Sequence, residues 1–111
     1  MSRSVFELRP ADASASTSSV ATVTGELDVT NAEDFTKSIA ALPGSRPIVV
    51  DLSRLSYLDS AGFAALDRLL ADRTVLIVIA PQSPIHRAAV VMDLPFQQDT
   101  GSALQSLEAR G

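Results

Sequence analysis

The residues best placed to do chemistry lie between Val50 and Phe63, in the run Val50-Asp51-Leu52-Ser53-Arg54-Leu55-Ser56-Tyr57-Leu58-Asp59-Ser60-Ala61-Gly62-Phe63. An apolar strand ends on Asp51, a loop follows, and Asp59-Ser60 arrives just before a helical pattern. A serine in that position has two readings. As a plain N-cap, its hydroxyl accepts a hydrogen bond from a first-turn amide. As a phosphate acceptor, it uses the unpaired amides and partial positive charge of the same helix start to hold a dianion. Ala61 and Gly62 carry little side chain to block approach to Ser60. Phosphorylation there adds about −1.5 to −2 charges beside Asp59, enough to turn a docking surface repulsive.

Other chemistries find no support in the residue pattern. A hydrolase elbow wants glycine two positions before its serine, and Leu58 stands there. A triad would have to recruit His86, the only imidazole. There is no phosphate-binding G-x-x-x-x-G-K-[ST] loop and no G-x-G-x-x-G turn. Lys37, the only lysine, comes too early for a phospho-acceptor receiver domain. The chain has no cysteine, which excludes thiolate zinc, iron–sulfur clusters and a cysteine nucleophile. No catalytic residue, metal or cofactor is expected.

The elements that must position this segment can be read from periodicity. Val5 to Leu8 and Val20 to Thr24 alternate with period two, as half-covered strands do. Between them, residues 11–19 are small and polar and read as a flexible loop. Gly25 to Asn31 reads as a turn-rich connection, with Thr30 and Glu33 spaced as a capping box. Ala32, Phe35, Ile39 and Leu42 then mark a first helix ending near Pro43-Gly44. Ile48 to Val50 and Val75 to Ile79 are continuous and β-branched, as central strands covered on both faces should be. A second helix spans Ala61 to Asp72, with Phe63, Leu66, Leu69 and Leu70 inward. Ser83-Pro84 opens a third, with Ile85, Ala88, Ala89 and Met92 inward, and Pro95 ends it. Phe96 to Gln98 reads as a short edge strand, and Ser102 to Ala109 as a last helix with Ala103, Leu104 and Leu107 inward. The fold class is therefore α/β: one small domain over residues 1–111, core about 5–107, with a mixed sheet of four to five strands and about four packed helices. The segment from Ile48 to Ile79 should cross over between parallel strands.

Composition agrees with one soluble core: 111 residues, 46% hydrophobic and 20% charged. Thirteen acidic against nine basic side chains give a net charge of −4, which opposes direct nucleic-acid binding. The apolar stretch Val75 to Ala80 is far too short to span a bilayer, and Met1 to Pro10 lacks a signal-peptide core. No membrane association is expected, and the expected location is the cytoplasm.

Two motifs in order, Gly25-Glu26-Leu27-Asp28 followed by Asn31-Ala32-Glu33, and Val50-Asp51-Leu52-Ser53 running into Leu58-Asp59-Ser60-Ala61-Gly62, give the chain a family likeness. It resembles the STAS domain of bacterial anti-sigma factor antagonists from about Val5 to Leu107, including the Ala80-Pro81 step. The resemblance implies a partner switch: the unphosphorylated protein binds an anti-sigma factor that is also a serine kinase, and so releases a sigma factor. The kinase, bringing ATP and magnesium, phosphorylates the serine of the D-S-x-G motif, which falls on Ser60; a serine phosphatase reverses the step. It also places the Asp of G-E-L-D, here Asp28, close to the acceptor. The implied partner-binding residues are Asp28, Asp59, Ser60, Ala61 and Gly62, and the exposed face of the second helix adds Asp67, Arg68 and Asp72 as candidates.

Four departures bear on the partner. Ala61 stands where many members have Ser or Thr, Asn31 where Thr is often found, and Asp93-Leu94-Pro95 where a glycine-containing turn is common; the Ala/Ser loop after the first strand is unusually long. The alternative is a STAS-fold binding module of another system, such as a lipid-transport complex or a stress-signalling scaffold, with no sigma-factor role.

Overall fold

In the computed structural model the described residues are 5–11, 18–43 and 45–110, with the side chains of 11, 18, 19, 45 and 107–110 excepted. Two strands open the chain: β1 (Phe6–Ala11) and β2 (Ser18–Leu27). They pair antiparallel from Phe6↔Gly25 to Ala11↔Val20. The expected 11–19 loop is therefore shorter, because Ala11 and Ser18 belong to strands; residues 12–17 lie outside the described residues.

Helix α1 (Ala32–Ala41) carries the chain across to β3 (Ser45–Asp51), which lies parallel to β2. Next come β4 (Leu55–Leu58), α2 (Ser60–Ala71) and β5 (Val75–Val78), with β5 parallel to β3. Helices α3 (His86–Val91) and α4 (Thr100–Arg110) complete the chain. The sheet has five strands in the order β1-β2-β3-β5, with β4 added beside β2. β2 serves two neighbours along one edge: its first half pairs with β3 and its last three residues pair with β4. That double duty is why β2 is ten residues long.

Several expectations change at this point. Gly25, Glu26 and Leu27 are strand, not turn, because β4 supplies them with a parallel partner. Gly25 sits at a register shift with φ of 96°, and a Cβ there would lie 2.2 Å from the Val5 carbonyl oxygen. The four-residue β4 stands where a loop was expected. The Phe96 to Gln98 edge strand reduces to one parallel bridge between Val78 and Gln97, so β5 is nearly the border of the sheet rather than a central strand.

Apolar burial on both faces of the sheet fixes the layers. Ala21, Val23, Ile48, Val50 and Ile77 face α1, α2 and α3, whose buried residues include Phe35, Ile39, Phe63, Leu66, Leu69 and Ala89. Phe35 is fully buried and meets Phe6 edge to face at 5.6 Å; burying one such side chain contributes roughly 1.5–3 kcal/mol. On the opposite face Val49 and Val78 pack with Ala103 of α4, and Val20, Leu76 and Leu104 surround them. Leu107 lies outside the described side chains.

Helix α3 differs from its expected form. It starts two residues after Pro84: Ser83 is buried, and its hydroxyl accepts from the Ile85 amide in a preceding turn. Ala88 and Met92 point to solvent, because the helix stops after six residues and Leu94 fills the core instead. Its end closes with Leu94 N–H donating to the Ala89 carbonyl and Asp93 N–H to Val90, Asp93 taking a φ of 57°. Asp93 thus adopts the left-handed conformation that a glycine would supply. No helix among the described residues is long and apolar enough to cross a membrane.

Candidate functional site

The short parallel ladder between β2 and β4 builds the site. Leu27 lies opposite Leu58, so the chain leaves both strands at one level, toward Asp28 on one side and Asp59 on the other. The Asp59 N–H donates to the Leu27 carbonyl at 3.2 Å, and the Ser56 hydroxyl donates to the Gly25 carbonyl at 2.9 Å. Residues thirty-one apart in sequence therefore share one end of the sheet.

Asp59 caps α2. Its Oδ1 accepts from the Gly62 N–H at 3.0 Å, and its carbonyl accepts from Phe63 N–H at 2.9 Å. A carboxylate at a helix start is favoured both as a hydrogen-bond acceptor and by the helix dipole. Its other oxygen accepts from the Val29 N–H at 3.3 Å, tying the start of α2 to the Asp28 loop.

That loop is held by its own side chains. Asp28 Oδ1 accepts from both the N–H and the hydroxyl of Thr30, at 2.8 and 2.5 Å. Asn31, 7% exposed, accepts from the Asp28 N–H and donates to the Glu26 carbonyl. The capping box expected from Thr30 and Glu33 does not form: the Thr30 hydroxyl is committed to Asp28, and Asn31 occupies the N-cap of α1 without a side-chain cap bond. The two carboxylates thus bind consecutive amides, Asp59 that of Val29 and Asp28 that of Thr30.

Because Asp59 caps, Ser60 does not. It is the first residue of α2, exposed, and its hydroxyl makes no hydrogen bond to any described residue. Ala61 is half-buried and Gly62 is buried. A Cβ on Gly62 would come within 2.4 Å of Leu58 Cδ1 and 3.1 Å of the Leu27 carbonyl oxygen. Gly62 therefore lets the start of α2 lie directly on the ends of β2 and β4, which sets where Ser60 emerges.

A cleft of about 340 Å³ runs from this point between α1 and α2, lined among others by Val29, Glu33, Ala61, Ala64 and Arg68. Asp67, Arg68 and Asp72 are exposed along α2. Two residues that periodicity did not single out join the surface: Val29 is 76% exposed and Tyr57 51% exposed. The signal for Val29 is a lone apolar residue between Asp28 and Thr30, where a loop position would ordinarily be polar. Among the described residues no group of three or more Asp, Glu or His could hold a metal ion. What the arrangement offers is an exposed serine hydroxyl at the start of α2, next in sequence to the capping Asp59 carboxylate, with a small apolar surface along the cleft.

A family described as Mlab, STAS domain, matches residues 11–94. Three solved structures resemble the whole or most of the fold. An anti-sigma factor antagonist from Mycobacterium paratuberculosis matches with a TM-score of 0.70 at 23% identity, over 94% of this chain and 95% of the other. The anti-sigma factor antagonist SpoIIAA in its unphosphorylated form matches with a TM-score of 0.62 at 15% identity, over 95% and 97%. An antisigma-factor antagonist STAS domain from Rhodobacter sphaeroides matches with a TM-score of 0.51 at 22% identity, over 67% and 84%. At these identities the likeness is one of fold.

Proposed function

The chain belongs to the STAS domain family, and from that premise we propose that it is an anti-sigma factor antagonist whose binding surface is switched off by phosphorylation at Ser60. The observation that carries this reading is the Ser60 hydroxyl, exposed and without a hydrogen bond to any described residue because Asp59 performs the capping. Three fold relatives named as antagonists support it.

Unphosphorylated protein presents Val29, Ala61 and Ala64 as a small apolar centre, with Glu33, Asp59 and Arg68 around it. The partner, an anti-sigma factor with serine kinase activity, docks there and releases its sigma factor. Its ATP delivers the phosphoryl group to the Ser60 oxygen; the serine proton leaves and ADP departs. The product dianion stands next to Asp59, and the Arg68 backbone lies two helical turns away along α2, a rise of about 12 Å. A dianion buried at an interface without a cation pays desolvation and repulsion together. A change of about 3 kcal/mol weakens binding more than a hundredfold. The chain is a substrate and a binding module, not an enzyme, and it works in the cytoplasm; a serine phosphatase resets it.

The test is incubation with candidate anti-sigma factor kinases of the source genome and ATP, followed by mass spectrometry and co-elution. One phosphoryl group on the Ser60 peptide, with loss of co-elution, is the expected result. Transfer to another residue, or stable co-elution after full modification of Ser60, overturns the reading.

The Mlab description of the matching family favours a second reading, a STAS binding module of a different system. Co-purification with proteins unrelated to sigma-factor control, and no transfer from any such kinase, would select it.

A further inference from the structure

A second cleft, about 710 Å³, lies at the other end of the sheet from Ser60, where β3 and β5 begin and α2 ends. Arg46, Leu70, Arg73, Val75, Leu76 and Pro95 line it, and no carboxylate does, although the chain carries a net charge of −4. The two cations are held differently. Arg46 Nη2 donates to the carbonyls of Ala40 and Leu42 at 3.1 and 2.8 Å, which fixes its guanidinium against the end of α1.

Arg73 is the residue after the cap of α2, with a φ of 57°. Its N–H donates to the Leu70 carbonyl and the Thr74 N–H to Leu69, the helix ending in which glycine is the usual choice. Asp93 holds the same position after α3, but aspartate tolerates this backbone conformation far better than arginine does. A long cation kept in a costly conformation at a cleft rim, with no ion pair to any described residue, is not explained by the stability of the helix end.

We infer that this cleft binds a small anionic amphiphile: an alkyl chain bearing a single phosphate or carboxylate head. Guanidinium groups match such oxygens in paired hydrogen bonds. Leu70, Val75, Leu76 and Pro95 supply the apolar surface for the chain. The volume falls within the range of small-molecule sites. The inference stands apart from the role of Ser60, which sits a full helix length away, about 18 Å along α2.

Calorimetric titration of the full chain with decyl phosphate and with decanoate, both below micelle formation, tests it. Decyl maltoside serves as the uncharged probe and inorganic phosphate as the headless one. At least one anion is expected to bind about tenfold or more tightly than either control, which also tells a phosphate head from a carboxylate. Arg73→Gly should cut that affinity about tenfold without lowering Tm, since glycine suits the φ at that position. Ser60→Ala should bind as the parent does. No binding of either anion, equal binding of decyl maltoside or inorganic phosphate, or an Arg73→Gly affinity equal to the parent's each overturns the proposal.

Discussion

Removing the Asp59 carboxylate should separate its two structural duties. In Asp59→Ala the Gly62 amide loses its cap, at about 1 kcal/mol, and the Val29 amide loses its tie to α2, at about another 0.5–1 kcal/mol. Together these amount to about 2 kcal/mol, or ~8 °C in Tm for a domain of this length. Asp59→Asn isolates the first duty. Its amide oxygen can still cap Gly62, and asparagine caps as well as aspartate. Its NH2 group, however, would face the Val29 N–H donor to donor, so only about half of the loss should return. Ser60 cannot take over the cap, because it already lies inside the helix. Thermal melts and urea titrations of the three proteins measure both steps. A Tm for Asp59→Ala within ~2 °C of the parent, or an asparagine variant less stable than the alanine one, refutes the assignment of Asp59 as cap and clamp.

Ser60→Ala should leave Tm unchanged and give a protein that stays bound to its kinase partner in ATP; release of this variant would move the switch elsewhere. Ser60→Glu, an imperfect mimic with less charge than phosphate, should weaken partner binding at least about tenfold by calorimetry; unchanged affinity contradicts an electrostatic switch. Gly62→Ala should cost about 1–3 kcal/mol in denaturant melts, because Leu58 can swing aside but the Leu27 carbonyl cannot; a neutral effect would mean that α2 shifts freely. Val29→Asp should keep the parent's Tm, being exposed, yet weaken partner binding about tenfold or more; full affinity places the docking surface elsewhere.

The parts of the fold that periodicity exposed are those with long, consistent burial. The β-branched runs at Ile48 and Val75 and the helical spacing of Phe35, Ile39, Phe63, Leu66 and Leu69 all report a wide apolar face. β4 escaped because its burial reads in-out-out-in over Leu55 to Leu58, which is neither alternation nor a continuous run. Without β4, Gly25 to Leu27 had no parallel partner and looked like a turn. The same gap hid the division of labour between Asp59 and Ser60. Both residue types cap helices well, and only the pairing of Leu27 with Leu58 decides which one stands outside the first turn. Thr30 and Glu33 had the spacing of a capping box, but the nearer acceptor on Asp28 captured the hydroxyl. Met92 had helical spacing too, and a reversal at Asp93 left it 52% exposed.

The three-residue match of Gly25–Leu27 to Leu55–Leu58 works like a vernier between two loops that evolution could otherwise edit separately. Deleting one residue from β4 would move Leu58 from its buried position to the exposed one that Tyr57 now holds. It would also shift Asp59 off the level of Val29. Substitutions at Val29, Tyr57 or Arg68 carry no such penalty. Paralogues in one genome could therefore diversify whom they recognise while keeping the position of the acceptor oxygen unchanged, and insertions should be rare between Leu52 and Gly62.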